Sequence, residues 1–232
     1  ASRFNYAVFP YDWRRTVNES ASHFLYFLKQ LQSRVAGAGH ADPLPRTTLL
    51  AHSMGGLVAQ FALATNKDLL KKIRSAVFVA VPFYGTWSHF HRYYDGEEML
   101  SLVYGAATTA GIIGSLPGPY ILNYLDIQLW QRDGAALGLG RYPFFDRQTG
   151  QACDPHDKAQ KPRLPTALNF LHLDAARKVR ATLLKPVAAE ECAKLHFVYG
   201  DRPATTPVEM SWDPLPPAYR PGIDAAPVQN AT

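Results

Sequence analysis

Ser53 stands in the run Ala51-His52-Ser53-Met54-Gly55, between an apolar stretch that ends at Ala51 and a second one from Leu57 to Ala64. This is close to the G-x-S-x-G pattern that lifts a serine out of a sharp strand-to-helix turn and presents its hydroxyl as a nucleophile. Such a turn holds strained backbone and calls for small residues two positions either side. Gly55 supplies one, and Ala51 departs from the pattern by a methyl group. A helix starting near Met54 aims free N–H groups and its positive end at the same point. The Met54 N–H would then bind a developing oxyanion, a contribution of about 3 kcal/mol per donor. The same residues also suit a blander reading, in which Ser53 caps the helix and the glycines only permit close packing. His52 is expected to point away from the hydroxyl, as a supporting residue.

The flanking sequence builds the elements such a turn needs. Arg3 to Phe9 alternates as a β run, and Pro10 to Arg15 follows as a loop. Thr16 with Glu19 forms a capping-box pattern, and Phe24, Phe27, Leu28, Leu31 and Val35 recur at helical spacing up to a glycine stop. Pro45 to Ala51 reads as a second strand. Arg74 to Pro82 reads as a third, apolar enough to be covered on both faces. Phe83 to Pro165 is Gly-, Pro- and aromatic-rich without clear periodicity; a helical pattern resumes over 167–184, and Lys194 to Gly200 is a fourth strand. From Asp201 onward prolines dominate. Strands alternating with helices imply crossovers, a parallel sheet and an α/β class. The loops beyond the carboxyl ends of the strands then share one rim: Pro10–Arg15, His52–Gly55 and Pro82–Trp87.

Composition narrows the function classes. The chain has 232 residues, nearly half apolar, with a net charge of +5. Its basic clusters, Arg14-Arg15, Lys71-Lys72-Arg74 and Arg177-Lys178-Arg180, are scattered over loop edges and helix faces. They read as solvated surface, so no nucleic-acid partner is expected. Met99 to Leu125 carries no charge but is interrupted by Gly and Pro, which argues against a spanning helix. Cys153-Asp154-Pro155-His156-Asp157 has ligand types at short spacing but lacks a second ligand pair, so it reads as a polar turn. No metal or cofactor is called for. Two cysteines, Cys153 and Cys192, permit one disulfide and leave the redox compartment open.

Taken in order, "PYDWR", "AHSMGG" and "VAVPFYGT" resemble the lecithin:cholesterol acyltransferase-like lipases of the α/β-hydrolase fold. "GSLPGPYILN", "RYPFFD" and "FVYGDRPATTP" extend the resemblance over most of the chain. It implies a serine hydrolase or O-acyltransferase acting on lipid esters through an acyl-enzyme on Ser53; an α/β-hydrolase esterase of another branch, or a non-catalytic relative that binds lipid or a partner, is the alternative. A membrane or lipid-particle surface is then a natural partner, and an extracytoplasmic or membrane-associated setting is favoured. It also implies a core over residues 1–82, a cap or lid over 83–165, a return to the core over 166–200 and a Pro-rich extension over 201–232. Tyr11, Asp12, Trp13, Phe83, Tyr84 and Trp87 fall in the loops beside the substrate. There Asp12 would organise its loop, pairing with Arg14, or stand as a turn acid with no role in the site.

The chain order Ser, acid, His is not met. The last histidine is His196, at the start of its strand and on the edge away from Ser53. His89 and His91 follow the third strand in the wrong order and read as lid residues. Asp201 follows the fourth strand and is a candidate acid by position only; Asp224 is weaker still. The loop that would carry a second oxyanion donor is also missing. The expectation is a middle piece of an acyltransferase-like enzyme, or one whose remaining parts lie on another chain. The 232-residue chain alone should turn over esters little or not at all. Robust hydrolysis of a short soluble ester by the purified chain would show instead that these residues hold a working triad.

Overall fold

A computed structural model describes residues 6–90, 92–123, 127–137, 142, 144–146, 149, 151–157, 159, 166–199 and 210–212. The chain divides into two compact units, one formed by Ala1–Phe83 with Val179–Gly200, the other by Tyr84–Lys178 with Asp201–Thr232.

In the first unit the helix α1 (Val17–Gly37) begins at the capping box as the sequence predicts. The Thr16 hydroxyl accepts from Glu19 N, and Glu19 reaches back to Thr16 N. The apolar stripe buries Val17, Ala21, Phe24 and Leu28, and α1 packs on α2 (Met54–Thr65). The strand β1 (Thr48–His52) precedes α2, and the short helix α3 (Lys67–Lys72) leads into β2 (Ser75–Val79). Arg180, on a stripe with Leu173, Ala176 and Leu183, belongs to a later helix described below. It is only 3% exposed and donates to the Phe83 carbonyl at 2.6 Å, so this member of the basic clusters is not solvated surface. Lys194 likewise turns inward at its tip: its ammonium donates to the carbonyls of Leu70, Lys71 and Ile73 and caps the C-terminal end of α3.

The remaining elements follow in chain order. The second unit holds α4 (Trp87–Phe90), α5 (Arg92–Asp95), α6 (Glu98–Tyr104), α7 (Ala106–Ser115), a 3-10 turn over Gly118–Leu122, α8 (Ile127–Leu137) and β3 (Phe144–Asp146). The helix α9 (Phe170–Leu183) leads to the short α10 (Ala189–Cys192) and the strand β4 (Leu195–Val198). Last comes β5 (Met210–Trp212), which pairs in parallel with β3. Sequence reading left the insert and the tail without elements, because glycine-broken helices and three-residue strands are too short to show a period.

The main sheet has the order β1-β2-β4, all parallel, as the alternation of strands and helices predicts. Its register brings Leu49, Ala76 and Leu195 to one rung, and Ala51, Phe78 and Phe197 to another, on one face. That face holds the core: Leu49, Ala76 and Phe78 are buried, and Phe78 stacks on Phe197 at 5.5 Å. The opposite face is open among the described residues, with Leu50 75% exposed and Val198, His52 and His196 exposed as well. The expectation of a doubly covered third strand is thus corrected. The predicted first strand is corrected too. Arg3 to Asn5 lie outside the described residues, and Tyr6 to Phe9 form no ladder. Alternation alone does not make a strand without a partner, and Phe9 instead packs against Phe24 and Phe27.

In the second unit the core is aromatic with polar handles. Tyr93 and Tyr120 are both almost fully buried, with ring centroids 5.1 Å apart. The Tyr120 hydroxyl donates to Gly114 O at 2.9 Å and accepts from Asn169 N at 2.7 Å, while the Asn123 amide donates to the Tyr93 hydroxyl. Burial pushes the Tyr120 phenol up to about 12 and the Tyr93 phenol well above its ordinary value. The folded state therefore holds these protons more tightly than the unfolded chain does. Their contribution to stability should be complete below pH 10 and lost as the pH climbs from 10 towards 12. Phenolate absorbance followed against pH should show two late-titrating tyrosines that ionise together with loss of folded signal.

Candidate active site

The three strands of the main sheet end level with one another, His52 opposite Val79 and Val79 opposite Val198. One rung further, Ser53 N donates to Val79 O at 3.0 Å and Ala80 N donates to Val198 O at 2.8 Å. Both residues leave the sheet through positive φ, 51° at Ser53 and 47° at Ala80, and no other described non-glycine residue does so. Left-handed backbone of this kind costs about 1–3 kcal/mol at a residue with a side chain. At Ser53, with ψ at −133°, it turns the chain straight from β1 into α2.

The side chain of Ser53 makes no capping hydrogen bond to the helix it precedes. The first turn is closed instead by backbone, with Gly56 N donating to Ser53 O at 2.9 Å. Met54 is the first helical residue, so its N–H lies outside the ladder of α2. Ser53 is partly exposed, and His52 is exposed on the open face of the sheet.

The need for small residues falls one position later than the motif suggests. A Cβ at Gly55 would meet only the Tyr11 ring and hydroxyl at 3.7 Å, an ordinary contact, whereas one at Gly56 would lie 2.1 Å from a Val81 methyl. Val81 follows the second left-handed residue, Ala80. The strand-end geometry of β2 and the glycine in α2 are therefore two halves of one close approach, a signal that no spacing rule for serine motifs contains.

Tyr11 brings the Pro10–Arg15 loop to this turn. Its ring stacks on Phe9 at 6.3 Å, and partial burial raises its phenol above the ordinary value. Asp12 grips Arg14 with both carboxylate oxygens, at 2.7 and 2.9 Å to the guanidinium, and accepts from Arg14 N. The Arg14 hydrogen bond lowers the Asp12 carboxyl below its usual range. Asp12 thus organises its loop, and Trp13 beside it is exposed. Phe83 is placed in an aromatic group with Phe78 and Phe197, at 5.6 and 5.8 Å.

The other candidates separate from this turn or fall outside what is described. His196 pairs with Val77 and, through it, with Leu50, three residues before Ser53 along the parallel strands. At about 3.3 Å per residue that sets it roughly 10 Å back from the rim. His89 is buried in the second unit, edge-on to Tyr93 at 5.6 Å. Tyr84 is half-buried in that unit; Trp87 opens α4, and its side chain lies outside the described residues, as do His91, Asp201 and Asp224. Residues 153–157 form a turn in which Asp154 accepts from His156 N, and among the described residues no group of three ligand side chains could hold a metal. Both cysteines are thiols, Cys153 buried and Cys192 exposed. No helix of the described residues is long and apolar enough to cross a membrane.

Comparison with known proteins now joins this geometry. Residues 4–108 match the lecithin:cholesterol acyltransferase family. The resemblance read from "PYDWR", "AHSMGG" and "VAVPFYGT" is borne out over that stretch, which contains the whole Ser53 turn. The fold is shared with a chain in the crystal structure of the Tle4-Tli4 complex, at a TM-score of 0.59 and 18% identity. That likeness covers 87% of this chain and 46% of the other, so the chain spans about half the length of the structure it matches. The expected α/β fold is present. No curated protein sequence matches the chain significantly.

Gly56→Ala should destabilise the first unit by about 1–3 kcal/mol through overlap with Val81. Gly55→Ala should be neutral or slightly stabilising, as alanine is the better helix former. Thermal melting of the two variants checks the order.

Proposed function

We propose that the chain carries the nucleophile of a lipid-ester hydrolase or O-acyltransferase, and that Ser53 is that nucleophile. One observation carries the reading. A serine in left-handed backbone, at the carboxyl rim of a parallel sheet, opens a buried helix without using its hydroxyl to cap it. The strain has no return in helix capping, so a role for the free hydroxyl is its simplest account. The family match over residues 4–108 supports esters of lipids as the substrate class.

In this reading Ser53 Oγ adds to the ester carbonyl carbon, and its proton passes to a general base. The oxyanion is met by the Met54 N–H and the positive end of α2. Collapse of the tetrahedral adduct expels the alcohol, which takes a proton, and leaves an acyl group on Oγ. Water or a second alcohol then takes the acyl group, by hydrolysis or transfer respectively. Tyr11, with Asp12 and Trp13 on the same loop, would line the approach. His52 lies on the open face of the sheet and His196 lies back along its strand, so neither serves as the base in this reading and the chain's own turnover is slow.

A fluorophosphonate probe tests the nucleophile without requiring turnover. Where the full-length protein supplies the general base, labelling is expected on the peptide containing Ser53 and should be abolished in Ser53→Ala. Label that persists in the variant would refute the assignment. A preference for long over short acyl esters in the labelled protein's competition profile would separate lipid esters from small ones.

A further inference from the structure

Tyr11 lies against the start of α2 with a hydroxyl that the fold does not use. Its Cε1 and its hydroxyl oxygen both stand 3.7 Å from where a Cβ on Gly55 would sit. A helical Cα–Cβ bond tilts toward the helix N-terminus, so this contact is made over the first turn of α2, on the side of Ser53 and the Met54 N–H. Glycine leaves room for the ring, and a side chain larger than alanine at 55 would crowd it. The Tyr11 hydroxyl makes no hydrogen bond with the described residues, and neither does the Ser53 hydroxyl. The ring is nevertheless held. It stacks on Phe9, which is itself fixed on α1 by Phe24 and Phe27 at 5.2 and 5.4 Å. Just beyond it the chain closes into a turn, with Arg15 N donating to Asp12 O at 3.1 Å and Asp12 forked onto Arg14. A polar tip drawn partly out of water without a partner costs free energy. A fold that fixes it there from both sides leaves its partner to arrive with the substrate.

We propose that the Tyr11 hydroxyl is a catalytic hydrogen-bond donor, meeting the carbonyl oxygen of the ester as that oxygen becomes an oxyanion, beside the Met54 N–H. The inference rests on the Ser53 reading above and adds a side-chain donor to the backbone one. The phenol keeps its proton throughout. As Ser53 Oγ adds to the carbonyl carbon, the electron pair of the C=O bond moves to the oxygen, and the Tyr11 O–H and Met54 N–H both donate to it. The pair returns to carbon when the alcohol is expelled. The same two donors serve the second adduct, formed when water or another alcohol attacks the acyl group on Oγ. Partial burial raises the phenol above its ordinary value, so it is a neutral donor at neutral pH. A phenol shifted in that direction stays protonated and does not take over the Oγ proton, which separates this role from that of the general base. A donor fixed before the substrate arrives has little reorganisation to undergo during the reaction, and this is what makes such bonds effective.

Tyr11→Phe in the full-length protein removes one oxygen and leaves the ring in place. Against p-nitrophenyl butyrate, kcat should fall about a hundredfold with KM changed by less than about twofold, because the lost bond is made only in the transition state. The melting temperature should hold or rise, since the deleted hydroxyl has no partner in the free fold. An unchanged kcat, or a raised KM at constant kcat, overturns the proposal. So does a fall in kcat that comes with a lowered melting temperature, the mark of a merely structural hydroxyl. Ser53→Ala is measured alongside. If it abolishes hydrolysis while Tyr11→Phe leaves the rate intact, the nucleophile stands and the Tyr11 role falls alone. Hydrolysis that survives Ser53→Ala, or a parent protein that neither hydrolyses esters nor takes a fluorophosphonate, overturns the Ser53 reading and the Tyr11 assignment with it.

Discussion

The close approach of Gly56 to Val81 sets the geometry of the first unit. Two neighbouring parallel strands run out at the same level, and each extends its ladder by one backbone hydrogen bond before leaving through positive φ, at Ser53 and at Ala80. The turn after Ala80 brings Val81 down on the first turn of α2, where only a glycine leaves room. Helix, strand end and serine are thereby locked in one arrangement. The strain at two non-glycine residues is sustained because the ladder bonds and the packing over-determine it.

The surrounding elements serve that arrangement by burial rather than by strong polar contacts. The helix α2 is buried nearly all round, which explains its lack of a polar face, and α1 covers it with a narrower stripe. The polar groups that do reach inward satisfy backbone carbonyls, Lys194 at the end of α3 and Arg180 at Phe83. The Asp12–Arg14 pair is exposed, so its value lies in shaping the loop more than in stability.

The second unit follows a different rule. Its core gathers Phe90, Tyr93 and Tyr120, the two tyrosine hydroxyls meeting backbone or amide partners, together with Ile121, Leu168 and Leu173, while Met99, Leu102 and Val103 of α6 face outward. Its apolar sequence therefore meant two things at once, interior at Tyr120 and Ile121, surface at Leu102 and Val103.

Sequence alone determined the features that depend on near neighbours along the chain. The capping box of α1, the β1–α2 alternation, the serine at their junction and the parallel class all rest on local propensity and period. The "PYDWR" loop beside the turn was legible as well, through its motif. Tertiary structure decided what depends on residues far apart. It put the glycine requirement at Gly56 because Val81 lies 25 positions away in the chain. It denied Tyr6 to Phe9 a ladder because a strand exists only with a partner, and it buried Arg180 because a carbonyl at Phe83 was waiting for it. It also separated inner from outer apolar residues in the uncharged stretch, since hydrophobicity says that a side chain avoids water but not which surface will cover it.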